Sequence, residues 1–180
     1  MNAAAEKALT SSAFELFGLQ PAFALDSEAL ESSYRQIQSR VHPDRFARSG
    51  DAERRASLQW TTRVNEAYQV LRQPVQRAKH LLDLQGVDVG FETNTQMPSD
   101  FLLRQLAFRE SLEAAVAGKD AKALDALRHE LSGEQKILEA KVGLLIDSRK
   151  DYATAADEVR KLMVLVRLDE EIDAAYEAIE

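Results

Sequence analysis

The amino-acid sequence predicts an all-α protein made of two helical parts. Glycine and proline are scarce, at 7 and 4 of 180 residues, so few positions interrupt a helix. Apolar residues recur mostly at steps of three and four, which is the spacing of one face of an α-helix. No segment alternates convincingly between apolar and polar residues and no internal repeat is found, so neither a β-sheet nor a repeat array is predicted.

The first two helices are predicted from apolar and capping residues. Residues 12–18 favour a short helix that carries Phe14 and Phe17. A second helix is expected to begin after Asp26 or Ser27, because either side chain can accept hydrogen bonds from the backbone N–H groups of a first helical turn. Its predicted core stripe is Leu30, Tyr34, Ile37 and Val41.

Prolines set the ends of the next helices. Pro43 disfavours helical backbone at His42, so the second helix should end near Val41. Asp51 is predicted to cap a third helix, and Pro74 to end it and to open a fourth. The predicted core stripes are Ala56, Trp60, Val64, Ala67 and Leu71 in the third helix, and Val75, Ala78, Leu81 and Leu82 in the fourth.

Residues 86–98 are the predicted linker, since they hold two glycines, a proline and a cluster of polar residues. Gly86 is expected to cap the preceding helix. Three longer helical patterns follow, at about 99–117, at about 120–148 and from near 151 almost to the end, and they predict a three-helix bundle. The stripe of the middle pattern is Leu124, Leu127, Leu131, Leu138, Val142 and Leu145.

The composition excludes several kinds of site. There is no cysteine, so a disulfide framework, thiol catalysis and a cysteine-ligated metal or iron–sulfur cluster are excluded. The histidines at 42, 80 and 129 have no helical i,i+4 pairing, so no metal site is predicted. His80 and His129 are interpreted as helix-surface residues. No apolar run is long enough to span a membrane and the N-terminus lacks a secretory pattern, so a cytoplasmic protein is expected.

The charge is distributed unevenly. The net charge is −7 for the chain, with −1 on residues 1–98 and −6 on residues 99–180. Residues 35–55 nevertheless carry six arginines against three acidic side chains, a local net charge of +3. A basic face on an acidic protein indicates an acidic partner surface. Nucleic acid is less favoured, because its dedicated binders are usually basic as a whole domain.

The tripeptide His42-Pro43-Asp44 allows three hypotheses: a catalytic histidine–aspartate pair, part of a nucleic-acid patch, or a loop that docks on another protein. Catalysis is disfavoured because the pair should lie in an exposed turn, without the burial that tunes a pKa. No glycine-rich loop for an oxyanion or a phosphate stands nearby.

The helix predicted at 99–117 carries two apolar faces. The core face would be Phe101, Phe108, Leu112, Ala115 and Val116. Mostly opposite lie Leu102, Leu103 and Leu106, with Ala107, Glu110 and Ala114 beside them. A bundle helix needs only one buried face. The second face therefore predicts either contact with the other domain or an exposed partner site, and the helical geometry leaves both open.

The tripeptide lies between two amphipathic patterns, the second ending in "VNEAYQVLRQP" at 64–74. This arrangement resembles the J-domain of DnaJ-type co-chaperones. Further segments make residues 11–178 similar to the HscB family of J-domain co-chaperones, which serve bacterial iron–sulfur cluster biogenesis. They are "FELFGL" at 14–19, "HPDRF" at 42–46, "RAKHLLDLQG" at 77–86, "FLLRQLAFRE" at 101–110 and "AADEVRKL" at 155–162.

The resemblance implies a division of the chain and a first binding site. Residues 1–10 would be a flexible extension, 11–85 a J-domain formed by an antiparallel helix pair with short flanking helices, 86–98 a linker and 99–180 a three-helix bundle. The J-domain would bind a seventy-kilodalton heat-shock chaperone of the HscA type and stimulate its ATPase. The implied chaperone-binding residues are His42, Pro43, Asp44, Arg35, Arg40 and Arg45.

The resemblance also implies a client for the bundle, the iron–sulfur scaffold protein IscU. The implied scaffold-binding residues are Leu102, Leu103, Leu106, Glu110 and Val164. The sequence departs from the family at Ala107 and Ala114, where the family often carries acidic residues, and at Val164, where a larger aromatic can occur. Lys161 and Leu162 match the family, although bundle packing explains them equally well.

The sequence therefore predicts a non-enzymatic co-chaperone that holds no cofactor or metal and presents the scaffold to the chaperone. Two alternatives stay open: a J-domain protein that serves a different client, and a helical nucleic-acid-binding protein that uses the arginines of residues 35–55.

Overall fold

The computed structural model describes residues 11–46, 50–90 and 97–179. Across these ranges the chain is helical and contains no strand, which confirms the predicted all-α fold. The chain divides into two compact units, Met1–Leu81 and Leu82–Glu180. The predicted extension at 1–10 and positions 91–96 of the predicted linker lie outside the described residues.

The first unit is organised around two long helices. In chain order its elements are α1 (Ala13–Phe17), α2 (Ser27–Val41), a 3₁₀ turn (Pro43–Phe46), α3 (Asp51–Arg72) and α4 (Pro74–Leu84), the last of which crosses the boundary between the units. Helix α2 ends at Val41 and α4 opens at Pro74, as the sequence predicts.

The short helix α1 is fixed at both ends. The Ser12 hydroxyl accepts from the Glu15 N–H at 3.2 Å, and the Glu15 carboxylate accepts from the Ser12 N–H at 2.9 Å, which forms a capping box. The Ala13 N–H donates to Nε2 of His80 at 3.1 Å, and the His80 ring stacks on Phe14 with 5.8 Å between centroids. The interpretation of His80 as an ordinary surface residue is therefore wrong: it is half-buried and caps α1.

The caps of α2 and α3 differ from each other. The Asp26 carboxylate accepts from the N–H groups of Glu28 and Ala29, both at 3.0 Å, so Asp26 rather than Ser27 caps α2. The prediction that Asp51 caps α3 is wrong, because Gly50 occupies that position and Asp51 is the first helical residue. Within that first turn the Asp51 carboxylate pairs with Arg54 instead of with backbone N–H groups.

Helices α2 and α3 pack as the predicted antiparallel pair. The rings of Tyr34 and Tyr68 stack with centroids 4.1 Å apart, and the Tyr34 hydroxyl donates to Asn65 Oδ1 at 3.0 Å. Residues near the end of α2 meet residues near the start of α3, as the bond from Ser57 to the Val41 carbonyl shows. The buried residues of the two helices are Leu30, Ser57, Val64, Ala67 and Leu71.

The second unit holds three long helices: α5 (Ser99–Ala117), α6 (Ala121–Gly143), which continues as a π-helical turn (Leu144–Arg149), and α7 (Tyr152–Ile179). The bounds of α5 match the prediction. The pattern predicted at 120–148 is helical throughout, but its last turn widens into the π-helix and ends at Lys150, whose backbone is left-handed (φ 56°). No helix in the described part of the chain combines the length and apolarity that crossing a membrane requires.

The bundle core forms along the facing stripes of the three helices. Its fully buried members are Leu124, Leu131, Val142, Val159, Leu162, Leu165, Leu168 and Ile172. At the edge of the core, the Arg109 guanidinium binds both carboxylate oxygens of Glu171 at 2.9 and 3.0 Å, which joins α5 to α7.

The first part of the predicted linker packs onto the second unit. Helix α4 ends in a Schellman motif, in which Gly86 takes the left-handed conformation (φ 72°). Val89 is 2% exposed, and its carbonyl accepts from Nη1 of the buried Arg160 at 2.7 Å. The Arg160 side chain of α7 therefore holds Val89 in place.

A buried carboxylate joins α6 to α7. Glu158 has a side chain that is 5% exposed, and its Oε1 accepts from Lys141 at 2.9 Å and from Lys161 at 2.8 Å. Burial acts to raise the pKa of Glu158, but the two lysines outweigh it and hold this pKa below its ordinary value. A lowered pKa in the folded state means that the ionised carboxylate stabilises the fold.

We predict that Glu158→Gln lowers the free energy of unfolding at pH 7 by about 1.5–3 kcal/mol, the range for hydrogen bonds to charged groups. The difference from the wild type should persist above the unfolded pKa of about 4.3 and shrink as the pH falls through the lower folded pKa. Thermal unfolding from pH 7 to pH 3 measures this, with the exposed Glu177→Gln as control. A difference that does not change with pH contradicts the stabilising role of the carboxylate.

Candidate functional site

The turn after α2 arises where a proline interrupts the hydrogen bonds of the helix. The last regular bond is donated by the His42 N–H to the Gln38 carbonyl at 3.0 Å. Proline has no N–H, so Pro43 leaves the next carbonyl, that of Ser39, without its helical donor. The Arg45 guanidinium takes over this role, donating from Nη1 to the Ser39 carbonyl at 2.8 Å.

The end of α2 is also held from the partner helix of the pair. The Val41 carbonyl accepts from the Ser57 hydroxyl at 2.6 Å and from the Thr61 hydroxyl at 3.3 Å, both on α3. Ser57 is only 4% exposed, so this bond lies in the interface between the helices. The position of the turn is therefore set by α3 as well as by the proline.

The turn exposes its histidine and its aspartate. The His42 side chain is 50% exposed and that of Asp44 is 91% exposed. Nδ1 of His42 accepts from the Asp44 N–H at 3.3 Å and lies 3.6 Å from the Asp44 carboxylate, which orients the imidazole. Both side chains face solvent, which suits contact with another molecule better than chemistry on a small substrate.

The three arginines near the turn do not share one role. Arg35 has a side chain that is 74% exposed and pairs with Glu31 one helical turn earlier. Arg40 is exposed in the last turn of α2. Arg45 is exposed as well, but its guanidinium is already bound to the Ser39 carbonyl.

Helix α5 has the two faces that its sequence predicts. Phe101, Leu112 and Ala115 are buried in the bundle core. On the opposite side Leu102, Leu103 and Leu106 are 49%, 66% and 56% exposed. We call these three residues, with the neighbouring exposed Glu110, the leucine face. Isolated exposed leucines are ordinary, but three on one helix face form a contiguous apolar surface.

The residues of α7 that the sequence analysis named are not part of the exposed leucine face. Val164 is half-buried and packs against the bundle core, and Leu162 is completely buried. Lys161 is bound to Glu158. Ala107 and Ala114 of α5, the two departures from the family pattern on this helix, are exposed to solvent.

Reasoning from the sequence missed the supports of the turn. Ser57 and Thr61 continue the buried face of α3 at the helical spacing that leads to Val64, which is the signal that identifies them. No local signal indicates that Arg45 folds back onto α2 or that His80 reaches α1, because both contacts depend on the tertiary fold.

The chain is similar over nearly its whole length to proteins named "Co-chaperone protein HscB homolog". It is 51% identical to the one from Burkholderia thailandensis over 172 residues, which cover 96% of this chain and 98% of that protein. The relative of this name from Burkholderia vietnamiensis is 49% identical over the same shares. Residues 97–173 match the family described as the HSCB C-terminal oligomerisation domain.

Solved structures of the same family share the fold. The chaperone HscB from Vibrio cholerae is 32% identical, with a TM-score of 0.80 over 94% of this chain and 100% of that chain. The human co-chaperone protein HscB is 27% identical, with a TM-score of 0.85 over 92% of this chain and 82% of that chain.

We predict that Ser57→Ala destabilises the first unit by about 1 kcal/mol, because it leaves the Val41 carbonyl with only the longer bond from Thr61. The exposed Ser32→Ala on α2 is the matched control. Chemical denaturation measures the stability, and amide chemical shifts of residues 42–46 report the turn. Equal stability and unchanged shifts in both variants would mean that Ser57 does not support the turn.

Proposed function

Because the chain belongs to the HscB family of co-chaperones, we propose that it activates the ATPase of an HscA-type heat-shock chaperone and delivers the iron–sulfur scaffold IscU to it. In this proposal it acts in the cytoplasm, performs no catalysis and holds no cofactor. The observation that carries the proposal is the exposed turn of His42 and Asp44, supported from two sides, in a chain of this family.

The turn has the chemistry of a docking element. The Asp44 carboxylate is almost fully exposed, so it is able to accept paired hydrogen bonds from an arginine of the chaperone. His42 adds a ring whose orientation is set by the Asp44 N–H. Pro43 and the bonds to α3 fix the turn before binding, which lowers the entropy that docking must remove. ATP hydrolysis itself would take place on the chaperone.

The arginines contribute to docking in different ways. Arg35 and Arg40 offer positive charge on the exposed surface of α2, which speeds encounter with an acidic surface and makes it sensitive to salt. Arg45 adds charge as well, but its bond to the Ser39 carbonyl gives it a positioning role. We therefore assign the long-range attraction to Arg35 and Arg40 and the shape of the turn mainly to Arg45.

The leucine face is the proposed client site. Leu102, Leu103 and Leu106 offer the apolar anchors that dominate many protein interfaces, and Glu110 adds a carboxylate beside them. Ala107 and Ala114 carry no charge, so binding here should depend on apolar burial more than on ion pairs. Val164 is half-buried against the core, which allows it only a marginal contribution.

The two sites would work together through the covalent chain. We propose that residues 11–85 form the J-domain that docks on the chaperone, and that residues 99–180, joined by the linker at 86–98, hold the scaffold. Tethering both partners to one chain raises the concentration of client near the chaperone. The chain has no cysteine, so thiolate ligands for the cluster would come from the scaffold.

We predict that His42→Gln removes at least nine-tenths of the ATPase stimulation while the affinity for the scaffold is unchanged. Steady-state ATPase assays with HscA and calorimetry with IscU measure the two effects. The same substitution at the exposed His129 on α6 is the control and should leave both unchanged. Full stimulation by His42→Gln would exclude the proposed docking turn.

We predict that Leu102→Ala with Leu106→Ala weakens scaffold binding by about 2–4 kcal/mol, because two apolar anchors are lost. Helicity and thermal stability should not change, since both side chains are largely exposed. A double variant of two other exposed leucines, Leu58→Ala with Leu144→Ala, is the matched control. Unchanged affinity in calorimetry would place the client elsewhere.

A further inference from the structure

The chain between α4 and α5 is anchored well before α5 begins. Helix α4 ends at Leu84, and five residues later the Val89 carbonyl accepts from Nη1 of Arg160 at 2.7 Å. Arg160 lies on α7, and the Val89 side chain is buried. Residues 90–98 therefore join two points of the second unit, and only the four residues 85–88 separate α4 from the anchor at Val89.

The short segment before the anchor is itself held by hydrogen bonds. The N–H groups of Gln85 and Val87 both donate to the Leu82 carbonyl in the last turn of α4, at 2.9 and 3.0 Å. The Asp88 carboxylate accepts from the Gly90 N–H at 2.9 Å, which closes a tight turn around Val89. These bonds leave the segment little freedom to lengthen, so the anchor determines how far the chain extends from α4.

Arg160 is suited to hold this anchor because its guanidinium is buried. Its side chain is 8% exposed, and it binds the Asp157 carboxylate as well as the Val89 carbonyl. A buried guanidinium that lost an acceptor would keep its desolvation cost without the compensating bond. Release would also expose the apolar Val89 side chain to water. Both effects oppose release, so we expect the bond to persist in the free protein.

We propose that Arg160 is a positioning residue, which sets the length of chain between the chaperone-docking and the client-binding parts of the protein. This inference rests on the proposed function. Without the anchor, the chain from α4 to α5 would lengthen from four to fourteen residues. A flexible segment of that length has a root-mean-square span of about 20 Å. Because effective concentration falls roughly as the −3/2 power of tether length, the client would be about sixfold less concentrated at the chaperone.

The first test measures the tether without either partner. Because the chain has no cysteine, spin labels can be attached specifically at Ser32→Cys on α2 and Ala126→Cys on α6, two exposed positions. Pulsed electron paramagnetic resonance should give a broader distribution of label distances for Arg160→Met than for the labelled parent. Asp157→Asn is the matched control, because it alters the other partner of Arg160 and keeps the bond to Val89. Equal widths for Arg160→Met and the parent would overturn the proposal.

Insertions distinguish a released anchor from a damaged bundle. A Gly-Ser-Gly-Ser insert between residues 87 and 88 lengthens the segment before the anchor, and the same insert between residues 93 and 94 lengthens only the segment after it. With Arg160 intact, the first insert should broaden the distance distribution and the second should not. In Arg160→Met the second insert should broaden it as well. If both inserts broadened the distribution equally with Arg160 intact, Val89 would not be the anchor.

The second test measures the coupling in ATPase assays of the full chain with HscA and IscU. Arg160→Met should keep the stimulation by the chain alone and the affinity for IscU in calorimetry. The IscU concentration that gives half of the additional stimulation should rise about sixfold, whereas Asp157→Asn should leave it unchanged. A wild-type chain that does not stimulate HscA would reject the proposed function. Normal stimulation with an unaltered IscU response in Arg160→Met would overturn only the role of Arg160.

Discussion

The conformation of the turn after α2 depends on which groups donate hydrogen bonds to the carbonyl groups at the end of that helix. Pro43 stops the helix but supplies no N–H, and the unit compensates with the Arg45 guanidinium and with two hydroxyl groups of α3. These bonds fix the direction in which the chain leaves the helix. These bonds also set the positions of the exposed His42 and Asp44 side chains. Because two of the donors lie on α3, the turn forms only where α2 and α3 are packed against each other.

Most of the fold could be predicted from the sequence, because the signals for helix ends are local. Pro43, Pro74 and Gly86 act through their own backbone, and the predicted ends at these residues agree with the structure. The predictions for Asp51 and His80 were wrong for different reasons, the first local and the second tertiary. Gly50 displaces Asp51 from the cap, and His80 is drawn to α1 by a contact between residues 67 positions apart.

The candidate sites also include features that the sequence reveals and features that depend on tertiary packing. A helical wheel is enough to find the leucine face, since three leucines lie opposite the core residues of one helix. It cannot find the supports of the turn at His42, because the bonds from Ser57 and Thr61 to the Val41 carbonyl form only when α2 and α3 pack. Helix α5 thus carries two apolar faces, one buried in the bundle core and one exposed.

The bond from Arg45 to the Ser39 carbonyl changes how mutational data on this region should be interpreted. Removing the guanidinium takes away a positive charge and a helix cap in one step, so lost activity cannot be attributed to either alone. Arg40 carries the same charge without that bond in the described structure. Substituting Arg40 and Arg45 separately therefore distinguishes the loss of electrostatic attraction from the loss of the turn conformation. A mutational scan that treated the two arginines as equivalent would overestimate the electrostatic contribution to docking.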